Sequence, residues 1–285
     1  MKKAFSLIEL SIVILIIGIL VAGVTQASRI TAQMRLATAR NLTQSSPVNN
    51  VKNLIAWWET TSEKSFVDSE TTDTAAVSNW YDINSTSITK FNAIQATSAN
   101  KPTYSTNSIN GLPTLKFDGS TDYFEIPFNA DLNPANFTFF VATKPVSAAA
   151  YGAIFSSRSA SPLKGYMLYL SPSSTYEIIV GDGASSWGSA TISATMNKTY
   201  ILSGTFNSGA LTLYDAGSSS GPVSKTFVPT ASSTFRIGAG RNESTPNYFL
   251  NGYLGELIIF DRSLKTEERQ EIEKYLGKKW GIAVQ

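Results

Sequence analysis

Four short stretches hold the side chains whose types and spacing suit chemistry. Asp118-Gly-Ser-Thr-Asp122 sets two carboxylates on one loop. That suits calcium, a hard cation taking about six to eight oxygens. The same residues also form a turn in which Asp and Gly satisfy backbone groups between two strands. Asp182 lies within Gly181-Asp-Gly183, ahead of Ser185, Ser186 and Trp187. Asn242-Glu243-Ser244 and Tyr248 make a second polar loop. An exposed Trp187 can stack on a sugar ring, so Asp182, Trp187, Asn242 and Tyr248 are the candidate ligand contacts. The core-packing alternative stays open for each. The fourth stretch is an acid, Glu9, inside an apolar run.

Other chemistry is excluded by count. The 285 residues contain no His and no Cys. That removes Ser-His-Asp and Cys-His nucleophile systems, His- or thiolate-held metals, and disulfides. Glycoside hydrolysis needs two carboxyls about 5–10 Å apart. Glu256 and Asp261 share a predicted strand, but positions five apart face opposite sides. No residue is predicted to be catalytic, and no cofactor is required; calcium is the one the Asp118–Asp122 loop would hold. The 23 basic and 21 acidic residues are unevenly placed. Lys2, Lys3, Arg29, Arg35 and Arg40 face only Glu9 before residue 41, so the remainder is slightly acidic. A domain of that sign lacks a phosphate-tracking surface, which argues against nucleic acid.

Glu9 requires an element to hold it. From Ile12 to Val24 every residue is apolar or Gly. Counted from Phe5, the segment is long enough, at ~1.5 Å per residue, to cross the roughly 30 Å bilayer core as a helix. A removable secretory signal would leave a small-x-small site, for which Ala22 and Ala27 are weak candidates. A carboxylate inside such a run is a functional hypothesis by default. The run Met1-Lys-Lys-Ala-Phe5-Ser-Leu-Ile-Glu9 closely resembles the start of type IV pilins and pseudopilins. The resemblance implies a leader, residues 1–4, cut by a prepilin peptidase after Ala4. It further implies methylation of the new Phe5 amine, and pairing of Glu9 with the terminal amine of a neighbouring subunit. Gly is usual before the cut, and Ala4 departs from that. Ile30, Met34 and Leu36 or Ala37 continue the helical spacing and suit packing on the globular part. The pilin-type helix is placed at 5–42, ending near Asn41, with a linker at 43–51 broken by Ser45-Ser46-Pro47.

The rest reads as β. Alternation marks strands at 112–117, 123–126, 166–170, 176–180, 199–206, 210–214 and 235–239, and apolar runs mark 137–142 and 252–260. Turn chemistry, Gly217–Gly221 included, separates them. A final helix is capped by Thr266, with Ile272, Leu276 and Trp280 forming one apolar stripe. Lys274, Lys278 and Lys279 sit at its negative end, and Gly277 or Gly281 stops it. Trp57, Trp58, Trp80 and Trp280 read as core.

Several blocks in order carry a second resemblance. Leu54-Ile-Ala-Trp-Trp58, Trp80-Tyr-Asp82, Lys101-Pro-Thr-Tyr104, Asn110-Gly-Leu-Pro-Thr-Leu-Lys-Phe-Asp-Gly119 and Gly255-Glu-Leu-Ile-Ile-Phe-Asp-Arg-Ser-Leu264 look like laminin-G-like, concanavalin A-like jelly rolls. The fold class expected is a long N-terminal α-helix plus a mainly-β two-sheet sandwich over residues 52–285, ending in a helix. Jelly-roll glucanases often carry Glu-x-Asp-x-x-Glu on one strand, which this chain lacks. Together the resemblances imply a minor pilin-like subunit that waits in the inner membrane and then joins other pilin subunits. Its bulky head would meet a glycan or surface protein. A type II secretion pseudopilin and a membrane-anchored, non-polymerising lectin-like adhesin are the alternatives.

Overall fold

The computed structural model describes residues 7–241 and 245–285. Ala4, Phe5 and Asn242 lie outside the described residues. Helix α1 (Leu7–Gln44) is followed by a short turn of 3-10 helix at Pro47–Asn50. The strands are β1 (Leu54–Glu59), β2 (Asn79–Trp80), β3 (Ala93–Ile94), β4 (Thr103–Ile109), β5 (Leu112–Asp118) and β6 (Phe124–Ile126). Then come β7 (Phe137–Pro145), β8 (Gly152–Ala160), β9 (Leu163–Ser171), β10 (Thr175–Gly181), β11 (Trp187–Ser193) and β12 (Tyr200–Asn207). The chain closes with β13 (Ala210–Asp215), β14 (Ser218–Ser224), β15 (Phe235–Ile237), β16 (Gly240–Arg241), β17 (Pro246–Asn247), β18 (Asn251–Phe260) and α2 (Thr266–Trp280).

Two 8-stranded antiparallel sheets stack face to face. The first runs β14-β13-β12-β7-β18-β5-β4, with β1 also beside β18; the second runs β11-β10-β9-β8-β15-β6-β3-β2. Side chains alternate along each strand, so each sheet sends one set inward. Trp58, Trp80, Phe117, Phe139, Phe155, Tyr166, Tyr176 and Leu257 share that central core. The expected two-sheet sandwich with a long first helix and a closing helix is the fold observed.

A second cluster lies on the outer face of the first sheet. Trp57, Phe140, Ile201, Ile258 and Phe260 are covered there by Ile272, Leu276 and Trp280 of α2 and by Ala39 of α1. The bulge between Leu254 and Glu256 makes this possible. It resets the alternation, so that Leu254 and Leu257 face the core while Ile258 and Phe260 face out. Gly255 stands at the bulge; a Cβ there would sit 2.5 Å from the Trp280 ring.

The first helix differs from expectation at both ends of its outer half. It runs to Gln44 before Pro47 ends it, three residues past the predicted stop. Met34 is 66% exposed and does not pack on the head. The Arg35 side chain already lies against Gly111; full burial begins at Ala39, and Thr43, Ser46, Val48 and Val51 are buried, so the predicted 43–51 linker is a packed joint. Burial of the first turns after the helix ties the two parts together. Residues 218–224 form an edge strand and not a turn. Helix α2 begins after Lys265, whose backbone N–H donates to Glu268. Gly281, at φ 74°, ends it in the left-handed conformation, with Gly277 inside.

Candidate functional site

Three regions hold the residues singled out from the sequence. Along α1, Glu9 lies one turn before the exposed apolar run from Ile12 to Val24. The most apolar 18-residue stretch of this helix has a mean hydropathy of 2.9, enough by length and composition to cross a membrane.

The Asp118 loop is closed on itself. Asp118 accepts from the backbone N–H groups of Ser120, Thr121 and Asp122 and from the Ser120 and Thr121 hydroxyls. Partial burial opposes its charge, but these donors outweigh burial and hold its carboxyl well below the usual range. Burial, and then the Asp118 charge, push Asp122 up to about 6. Asp182 likewise accepts from the Ala184 and Ser186 N–H groups, which lower its pKa. Among the described residues, no group of three or more acids is placed to hold a metal ion. Both loops have the geometry of turns.

Two other candidates converge. Trp187 opens β11, paired to Gly181, and is half-buried; it is not in a free loop. Its ring and Tyr248 pack on one patch over Ala153, Met167 and Ile179, on the outer face of the second sheet. Sequence reasoning missed two partners there. Tyr151 stacks on Tyr248 at 4.6 Å between centroids, and Tyr169 lies 6.4 Å from Tyr248. The Arg158 guanidinium sits 4.4 Å over the Trp187 ring. Glu177 accepts from the Tyr169 hydroxyl at 2.7 Å. The signal was faint, because Tyr151 lies beside a strand, β8, whose Ser-rich second half masks its alternation. Asp182 does not join this patch.

The third region was not foreseen. On the covered face of the first sheet, Glu59 and Glu256 are directly opposite in the β1–β18 register. Like charges so placed repel. Lys279 of α2 lies between them, 2.7 Å from Glu59 and 2.9 Å from Glu256, with all three side chains fully buried. Trp57, Tyr275 and Trp280 also donate to Glu256. Lys279 donates to Thr43 as well, which brings the last turn of α1 into the network. Burial alone would lower the Lys279 pKa and raise that of Glu59. Lys279's two carboxylate partners reverse the first effect; Lys279 and Thr61 reverse the second. In the sequence Lys279 is one of several lysines at a helix end, and nothing marks it as buried.

The layering defines the head as a lectin-type jelly roll on a membrane-length helix. The chain belongs to the concanavalin A-like lectin/glucanases superfamily, whose family model matches residues 118–268. The prokaryotic N-terminal methylation motif matches residues 1–25. None of the curated proteins compared with the chain matches it. Among solved structures, botulinum neurotoxin type C, whose cell entry depends on two ganglioside molecules, shares 14% identity over 81% of this chain and 53% of its own, at a TM-score of 0.56. The binding domain of botulinum neurotoxin DC, solved with rat synaptotagmin II, shares 14% over 80% and 52%, at 0.55. Trypanosoma rangeli sialidase, solved with the inhibitor DANA, shares 14% over 77% and 32%, at 0.50. The chain thus spans about half of each toxin chain and a third of the sialidase. At such identities the likeness shows the fold alone.

Proposed function

We propose that the chain is a type IV pilin-like subunit whose jelly-roll head binds a surface ligand without catalysis. The observation that carries this reading is one continuous element. The described part of the methylation motif, residues 7–25, lies within α1, and α1 ends in a packed joint with the head. A prepilin peptidase cuts between Ala4 and Phe5, and the Phe5 amine is methylated. The helix stays in the inner membrane until Glu9 meets the amine of a neighbouring subunit. A buried charge is tolerable when paired and strongly unfavourable when its partner is removed. The bulk of the head suits a minor subunit of a surface pilus. Calcium has no role in this reading.

The ligand surface is the aromatic patch of the second sheet, which lies on the face away from α1. Tyr151, Tyr169, Tyr248 and Trp187 offer ring faces, and Glu177 and Arg158 offer polar edges. Flat apolar faces with hydrogen-bonding rims suit the C–H faces and hydroxyls of a sugar. The toxin and sialidase neighbours share only the fold. Yet the type C toxin depends on gangliosides for cell entry and the sialidase was solved with DANA, which makes glycans the first ligands to try.

The test is mass spectrometry of the native protein together with a Glu9→Ala strain. The expected result is a chain starting at methylated Phe5, and loss of the protein from sheared filaments on Glu9→Ala. A start at Met1, or unchanged incorporation of the variant, would refute the pilin reading. A soluble form beginning at Gln33, which keeps Ala39 and Thr43, would then be screened on a glycan array.

A further inference from the structure

Lys279 sits between two acids with all three side chains fully buried, and its pairing with Glu59 has the parts of a condensation site. The Lys279 Nζ lies 2.7 Å from Glu59 Oε2 and 2.9 Å from Glu256 Oε2, and none of the three side chains is exposed. Its other contacts are the hydroxyls of Thr43 at 2.8 Å and Tyr275 at 3.3 Å. Trp57, Tyr275 and Trp280 wall the pocket. Glu59 Oε1 accepts from the Ser62 N–H and from the Ser65 hydroxyl at 3.3 Å. Donors so placed would hold the charge of a developing oxyanion. Thr61 contributes its N–H at 2.8 Å and its hydroxyl at 2.7 Å to Oε2.

We propose that Lys279 and Glu59 join in an intramolecular amide bond, with Glu256 as the acid–base catalyst. Glu256 Oε2 takes a proton from Nζ and passes it to Glu59 Oε2, so that a neutral amine faces a neutral carboxyl. The amine attacks the Glu59 carboxyl carbon, and Oε1 takes up the single negative charge under the Ser62 and Ser65 donors. A second proton then moves from the nitrogen, through Glu256, to Oε2, which leaves as water while Oε1 re-forms the carbonyl. One C–N bond forms, one C–O bond breaks and one water departs. The ammonium and carboxylate charges cancel, Glu256 ends as it began, and nothing is oxidised or reduced.

Two physical features favour the step. Reacting groups locked in contact behave as if at effective concentrations on the order of 10⁵–10⁸ M. Condensation also turns the desolvated Lys279 ammonium and Glu59 carboxylate into a neutral amide, while Glu256 keeps the donors Trp57, Tyr275 and Trp280. The bond would link β1, the first strand after α1, to α2, the closing helix. A pull on α1 would then reach α2 through covalent bonds and bypass the sheet hydrogen bonds. The inference stands whether or not the chain polymerises.

Intact mass of the full chain tests it, followed by trypsin digestion after unfolding. The expected mass is short by one water. The expected digest holds residues 53–64 joined to residues 279–285, because trypsin does not cut after an acylated lysine. Glu256→Gln keeps the shape but removes the base; the linked peptide should fall at least tenfold. A native mass without the deficit, or a deficit with the two peptides separate, overturns the bond. Undiminished linkage in Glu256→Gln overturns the role of Glu256.

Discussion

The two outer faces of the sandwich are built from the same kind of strand and meet opposite fates. The first sheet presents Trp57, Ile258 and Phe260, and two helices cover them completely. The second presents Met167, Ile179, Tyr169 and Trp187, and its rim residue Tyr151 stays 40% exposed. The covered face carries a bulge, a paired charge network and rings sealed under two helices. The open face carries aromatics that already have hydrogen-bond or cation partners. Large apolar patches on a free surface usually mark interaction sites. The contrast separates a face that attaches the head from a face that presents it.

Unseating the covered face should have the largest effect. Trp280→Ala empties a fully buried site and removes a donor to Glu256. A loss of about 3–5 kcal/mol is expected, lowering Tm by on the order of 10 °C. Gly255→Val should act similarly, since its Cβ would meet the Trp280 ring at 2.5 Å. Thermal unfolding of the soluble form beginning at Gln33 measures both. A shift under ~1 kcal/mol for either would break the claim that α2 is essential cover.

The open face should respond in the opposite way. Tyr248→Ala and Trp187→Ala are expected to weaken glycan binding by tenfold or more, with Tm moved far less than by Trp280→Ala. Tyr151→Ala should leave stability within about 1 kcal/mol, as exposed positions do, yet reduce binding. Titration against the best array ligand, beside melting curves, reads both effects. If stability falls with binding unchanged, the patch is packing and the two faces are alike.

The features legible in the sequence are those set by local forces. The membrane-length run, the turns at Asp118 and Asp182 and the stripe Ile272, Leu276, Trp280 need only neighbours along the chain, and the structure has each. Trp57, Trp58, Trp80 and Trp280 are buried as read. Strand β14 escaped notice because Ser218-Ser-Ser-Gly221 has turn composition, and only its pairing with β13 extends it. The aromatic patch was half visible. Trp187 and Tyr248 stood out by type, whereas Tyr151 and Tyr169 join them only through strand register. The Lys279 network was invisible, because its three charges lie on three elements and each alone reads as surface.

The smallest expected effects concern acid on two carboxylates, Glu268 in the first turn of α2 and Asp122 between β5 and β6, which carry opposite signs. Glu268 is held down to about 2, first by its hydrogen bonds from Arg262. Its pKa is lower folded than unfolded, so its stabilisation is present above about 4.5 and disappears as pH falls towards 2. The pair is partly exposed, and screening limits it to roughly 0.5 kcal/mol. Asp122 is raised to about 6, first by burial and then by Asp118. The folded form therefore binds its proton more tightly, and Asp122 ionised above pH 6 weakens the fold. Asp122→Asn keeps an acceptor for the Asp118 N–H, so it should raise stability at pH 7–8 and change nothing near pH 4. Glu268→Gln should lower stability at pH 7 and converge with the parent near pH 2. Urea midpoints measured from pH 2 to 8 separate them. Parallel curves for the two variants would mean that the Asp118–Asp122 turn holds no strained charge.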